Sequence, residues 1–254
     1  MNIALIQYSP LWENPIDNIV KIQEILQNKV LDGVDLLIFP EMTLTGFTMN
    51  SKQFAEELDG ISTTFFIDLS RKLKKHILAG LIEKYQDKVF NSLVHFDNQG
   101  LINARYRKIH PFSFTNEHKH FDAGNETVIT KINSIRVGLS ICYDLRFPEL
   151  YRYYGKHRAD IIINIANWPI PRIEHWKILL KARAIENQCF SVGVNRTGSD
   201  PYLEYNGSSA VFNPMGDEIF IANDIENIYR VDLNLDAVNE TREKLPFLDD
   251  MKML

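Results

Sequence analysis

The chain has 254 residues, 45% of them apolar and 24% charged, and carries a formal net charge of -5 at pH 7. That length and apolar share suit one sizeable core, so residues 1–254 read as a single domain of a globular protein. The charge excludes a broad attraction to nucleic acid or anionic membrane, no apolar run approaches a membrane span, and two cysteines make no disulfide framework.

Taken in chain order, the first residues read as a strand rather than a signal peptide, because a basic start and a long apolar run are both missing. The expectation is a cytoplasmic protein with free thiols. IALIQY (3–8) is a buried strand pattern. Residues 15–33 place Ile19, Ile22, Leu26 and Val30 at helical spacing, with Gly33 to end the helix. DLLIFP (35–40) is a short apolar strand. Residues 62–75 gather Phe65, Phe66, Leu69 and Leu73 on one helical face, and the basic run RKLKKH (71–76) closes it as a solvated helix end. HILAGLIEK (76–84), VFNSLVHFD (89–97) and LINARYRKI (101–109) read as a run of hairpin strands.

A long polar and aromatic loop follows at 110–126, and loops of that length inside compact folds are often functional. The pattern then resumes as strand 135–141, short helix 148–155, strand 159–166, helix 172–188 and strand 190–195. Two strands around the turn NPMG, a further strand at 227–233 and a short helical tail complete the chain. Strands and helices alternate with antiparallel hairpins mixed in, which predicts an α/β layered sandwich rather than a purely parallel sheet.

Three strand ends carry chemistry. In VGLSICYDLRFPEL (137–150) an apolar strand stops at Cys142, and the helix that follows is expected to begin near Phe147, ahead of Pro148. A nucleophile at such a turn protrudes beside free main-chain N–H groups; a buried structural thiol is the competing reading. Glu41 follows a strand and Pro40, and Lys108 ends another strand. Each alone also suits a surface ion pair. EHKH (117–120) offers Glu117, His118 and His120 to a metal, but without further ligands at a known spacing.

Strand–Pro–Glu, then Tyr–Arg–Lys, then strand–Cys–Tyr–Asp, in that order, resembles the nitrilase superfamily of carbon–nitrogen hydrolases. NEHKHFDAG (116–124), ANW (166–168), ARAIENQ (182–188) and NPMGD (213–217) extend the resemblance over nearly the whole chain. The resemblance implies a catalytic Glu41, Lys108 and Cys142, a supporting Glu117, and the main-chain N–H of Tyr143 as a donor to the oxyanion. It implies a four-layer α-β-β-α sandwich with mixed sheets, a homodimer paired through helices, and no metal or organic cofactor. Lys108 beside Cys142 would favour the thiolate.

Within the superfamily the chain resembles the bacterial omega-amidases, through TGFTMN (45–50), CYDLRFPELYR (142–152), NRTGSD (195–200) and REKLPFLDD (242–250). That implies a small-molecule substrate, the terminal amide of 2-oxoglutaramate or 2-oxosuccinamate. Its carboxylate needs a cation, and Arg146 and Arg172 are available because Arg pairs with carboxylates in a fork. For Arg146 a structural ion pair with Glu149 is the competing reading. Phe47, Tyr143 and Trp168 are candidate apolar walls, and Asn167 a candidate donor to the amide. An amidase for deaminated glutathione or an N-carbamoyl compound, and a non-catalytic protein on the same fold, are the alternatives.

Overall fold

The computed structural model describes residues 1–27 and 31–253. The chain opens with β1 (Asn2–Gln7), α1 (Pro15–Gln27) and β2 (Leu36–Ile38), and the predicted helical position Val30 lies outside the described residues. α2 (Ser51–Phe54) and α3 (Ile61–Leu73) lead into β3 (His76–Tyr85), β4 (Lys88–Phe96) and β5 (Ile102–Arg107). The long loop holds two 3₁₀ turns, Ser113–Thr115 and Glu117–Lys119. β6 (Ile129–Ile132), β7 (Ile135–Ile141), a 3₁₀ turn at Cys142–Arg146, α4 (Pro148–Lys156), β8 (Ile161–Ala166), α5 (Ile173–Asn187) and β9 (Phe190–Asn195) follow. The last elements are β10 (Thr197–Ser199), β11 (Glu204–Asn206), β12 (Ala210–Phe212), β13 (Glu218–Ile221), β14 (Asn227–Asp232) and α6 (Asp236–Lys244).

Among the described residues the strands form two six-stranded sheets, ordered β14-β1-β2-β3-β4-β5 and β13-β12-β9-β8-β7-β6, with β10 and β11 as a separate hairpin. Both sheets are mixed. β1, β2 and β3 are parallel, as are β7, β8 and β9, and antiparallel strands flank each trio.

Alternation along β1 shows the layering. Ala4 and Ile6 pack with Ile22, Leu26, Phe65, Phe66 and Leu69 of α1 and α3. Ile3 and Leu5 point the other way, into a core shared with Val137, Leu139 and Ile163 of the second sheet. Trp176 and Leu180 of α5, with Tyr151 and Tyr154 of α4, join that core. The order is helices, sheet, sheet, helices, which is the expected α-β-β-α sandwich. Trp176 and Leu180 therefore serve the core, while Ile178 and Ile185 are the exposed apolar positions of α5.

Several short features differ from the sequence expectation. α2, β6 and the β10–β11 hairpin are too short for a periodic signal to reveal them. The α-helix after the cysteine begins at Pro148, but the chain already coils into a 3₁₀ turn at Cys142.

The strands that matter end on one side. β2, β7 and β8 are parallel-trio strands, and just past their carboxyl ends come Glu41, Cys142 and Asn167. β5 reverses twice from β3 and so runs in the same direction as β2, delivering Lys108 one residue after its end. Ligands of open α/β sheets are met at strand carboxyl ends.

Candidate active site

Between the sheets, four polar side chains are packed out of solvent. The Lys108 ammonium lies 2.8 Å from Glu41 Oε1, 2.9 Å from Glu117 Oε2 and 3.1 Å from Glu117 Oε1. Asn91 Nδ2 donates to Glu41 Oε1 at 2.7 Å and to Glu117 Oε1 at 2.9 Å. The main-chain N–H of Asn167 donates to Glu41 Oε2 at 2.9 Å, and the main-chain N–H of Phe112 donates to Glu117 Oε2 at 2.5 Å. All four of these side chains are at most 1% exposed. A buried ion pair survives only when further hydrogen bonds satisfy its atoms, and this one has them.

Burial pulls Lys108 down, but Glu117, Glu41 and Cys142 together prevail and hold its ammonium above the ordinary value. Burial raises Glu117 against the pull of Lys108, and the charge of Glu41 adds to the rise. Glu117 is thus committed to the interior, whereas His118 and His120 are exposed. The three do not form a metal site.

Local backbone geometry delivers the carboxylate. Pro40 and Glu41 leave β2 in a tight turn in which Met42 has φ 45°. Gly80 of β3 faces that turn: a Cβ there would fall 2.5 Å from Met42 N and 2.8 Å from Glu41 Cα. Only glycine lets the two backbones pass this closely. Thr43 N–H closes the contact on Gly80 O at 2.8 Å.

Cys142 has φ 45°, a left-handed conformation that a non-glycine residue adopts against a steric penalty. Asp144, fully buried, holds the turn. Its Oδ2 accepts from Ile141 N–H at 3.0 Å and from Tyr106 Oη at 2.7 Å, and its Oδ1 accepts from His110 N–H at 3.0 Å. The first N–H groups of such a turn lack intrahelical partners, and Tyr143 occupies that place. Burial, and then the charge of Glu41, push the Cys142 thiol well above its ordinary range; Lys108 pulls it down and does not win. Lys108 thus favours the thiolate, as expected, but burial and Glu41 outweigh it.

A narrow, mostly apolar cleft reaches Cys142. Phe47, Tyr143, Arg146, Asn167, Trp168 and Arg172 all line it. The Arg146 guanidinium lies over the Trp168 ring at 4.8 Å and beside His175 Nδ1 at 3.3 Å. Arg172 lies over the Phe112 ring at 5.6 Å. Among the described residues neither guanidinium has a carboxylate within ion-pair distance, so the structural pairing of Arg146 with Glu149 is not made. Burial, and then the like charge of Arg172, lower Arg146 from its ordinary value.

The carbon-nitrogen hydrolase family profile matches residues 2–243. The chain belongs to the carbon–nitrogen hydrolase family. It is 34% identical to a 2-oxoglutaramate amidase of Bacillus subtilis, over 98% of this chain and 97% of that protein. It is 33% identical to the omega-amidase YafV of Escherichia coli K12, over 98% of this chain and 96% of that one. Its fold superposes on XC1258 from Xanthomonas campestris, a CN-hydrolase superfamily protein, with a TM-score of 0.94 and 32% identity, covering 100% of this chain and 98% of that one.

In this carbon–nitrogen hydrolase the residues expected from sequence fall into two groups. Glu41, Lys108 and Glu117 form the buried charged floor. Cys142, Phe47, Tyr143, Arg146, Asn167, Trp168 and Arg172 line the cleft above it. Asn91 and Asp144 were not anticipated. A polar residue inside the apolar strand VFNSLVHF was the available signal for Asn91, and an acid two residues past the cysteine was the signal for Asp144. Tyr205 and Leu203, from the unforeseen β10–β11 hairpin, also line the cleft.

Proposed function

We propose that this enzyme hydrolyses the terminal amide of a small 2-oxo dicarboxylate monoamide, 2-oxoglutaramate or 2-oxosuccinamate, through a thioester on Cys142 and without a cofactor. The observation that carries the reading is one cleft holding a strained cysteine over a Glu–Lys–Glu floor, with two guanidiniums that no carboxylate among the described residues neutralises. The names of the relatives support the same substrate.

The proton of Cys142 goes to Glu41 as sulfur bonds to the amide carbon. Glu41 Oε1 accepts from Lys108 and Asn91, and Oε2 from the Asn167 N–H at 2.9 Å and its Nδ2 at 3.4 Å, so the carboxylate that receives it is held in place from both sides. The charge that develops on the carbonyl oxygen faces the Lys108 ammonium and the Tyr143 N–H. Glu41 then passes its proton to nitrogen, the C–N bond breaks and ammonia leaves. Water, losing a proton to Glu41, attacks the thioester; the C–S bond breaks and the thiol is restored. A raised thiol suits this course, because the proton moves only when substrate is present and the sulfur stays intrinsically nucleophilic.

Asn167 was expected to donate to the substrate amide, but its Nδ2 already donates to Glu41 O at 2.8 Å; its Oδ1, buried beside the cleft with no hydrogen-bond partner among the described residues, accepts an N–H of the substrate amide instead. Arg146 and Arg172 repel each other until a substrate carboxylate sits between them.

The same reading includes one domain over residues 1–254, a homodimer and a cytoplasmic home. The inter-sheet core supports the first, and exposed Ile178 and Ile185 on one face of α5 support the second. Two unpaired thiols are in keeping with the third, and among the described residues no helix is long and apolar enough to cross a membrane.

Ammonia release from 2-oxoglutaramate, a deaminated tripeptide amide, an N-carbamoyl amine and a plain short amide tests the substrate. Preference for 2-oxoglutaramate is expected. Turnover of the carbamoyl compound alone would overturn the substrate, and no turnover of any would favour a non-catalytic protein.

A further inference from the structure

Two carboxylates and one ammonium in a dry pocket leave one negative charge in excess, counting Glu41, Glu117 and Lys108. Carboxylates so placed tend to share a proton, because both cannot ionise cheaply. A shared proton would leave Glu41 unable to act as a base. Lys108 bridges the pair, at 2.8 Å from Glu41 and 2.9 Å from Glu117, and its one charge leaves the excess to be met by a neutral donor.

We infer that Asn91 is a positioning residue that bridges Glu41 and Glu117 with its two amide hydrogens and so keeps Glu41 free to take the thiol proton. Its Nδ2 reaches Oε1 of each acid, at 2.7 and 2.9 Å. The same residue holds the cation: the main-chain N–H of Lys108 donates to Asn91 O at 2.8 Å. All three charged residues of the floor therefore touch Asn91. The charged groups that face it are Glu41 from the turn after β2, Lys108 from the end of β5 and Glu117 from its 3₁₀ turn, with Cys142 beyond them.

The network fixes the amide's orientation. Turned over, Asn91 would aim its oxygen at two acids and lose both bonds. In the orientation found, Oδ1 is buried with no hydrogen-bond partner among the described residues. A buried acceptor left unpaired is costly, and its persistence here fits a residue kept for what its nitrogen does. No aliphatic residue of β4 could supply two donors, and Asp in the same shape would supply an acceptor that needs a proton of its own.

This rests on Glu41 as base and Cys142 as nucleophile, so the wild-type enzyme is assayed first; no amide turnover there defeats that reading rather than this one. Asn91→Asp should then lower kcat at neutral pH about a hundredfold, with KM changed less than about threefold. The acid limb of its kcat profile should move up by about one unit, so that activity partly returns at higher pH. Asn91→Ala should shift the limb in the same direction and by less. Wild-type kcat in either variant, or a loss with no shift of the limb, would overturn the inference. If neither variant folds, as judged by circular dichroism and melting, Asn91 is a determinant of the fold and the positioning role falls.

Discussion

The two cysteines sit in electrostatic surroundings that are more alike than their roles. Burial raises both thiols, Cys142 well above its range and Cys189 up to about 12. A cation pulls each down, Lys108 at one and Arg242 at the other, and nearby acids push each up. What differs is access and shape. Cys189 is fully buried between α5 and β9. Cys142 borders a cleft, carries the left-handed φ itself, and faces a glutamate held by Lys108, Asn91 and Asn167. A depressed thiol is therefore not the mark of this nucleophile. A base already in place, beside an opening, is.

The largest test of that contrast replaces each sulfur. Cys142→Ala should cut ammonia release by at least about 10⁴-fold with the melting curve retained, while Cys189→Ala leaves turnover within about twofold. Equal losses would erase the distinction. Glu41→Gln separates base from thiol. Turnover should fall about a thousandfold, yet the Cys142 thiol should titrate at lower pH, because the carboxylate that raised it is gone and Lys108 remains. The pH profile of iodoacetamide alkylation reads this shift, and an upward movement would contradict the account. Arg146→Met with Arg172→Met should raise KM for a 2-oxo dicarboxylate monoamide about a hundredfold and change that for an uncharged short amide little. The smallest effect belongs to the silent thiol: Cys189→Ala should cost about 1 kcal/mol in urea unfolding through its lost packing.

The strand ends that matter were legible in the sequence because apolar runs stop abruptly at Pro40 and Ile141, and a hairpin strand ends at Arg107, each followed by a reactive side chain. The layers were legible from alternation and from the helix faces. Asn91 escaped because its partners are 50 and 26 residues away, and no local pattern announces a contact of that range. The left-handed φ of Cys142 escaped because no glycine marks it. The hairpin that brings Leu203 and Tyr205 to the cleft was hidden in a polar stretch whose strands span three residues each. The sense of the Cys142 shift depended on how Glu41, Lys108 and burial balance, which is a matter of packing in three dimensions.

β1 pairs with β14 from Asn2↔Asp232 through Gln7↔Asn227, so the first and the last of the described strands are neighbours. On the ribosome, β1 must wait with one side unpaired until residue 232 has emerged from the exit tunnel. The first sheet, which carries Glu41 and Lys108, thus lacks an edge strand until β14 is available. A nascent chain halted before β14 should present a bare strand edge to chaperones or to its neighbours.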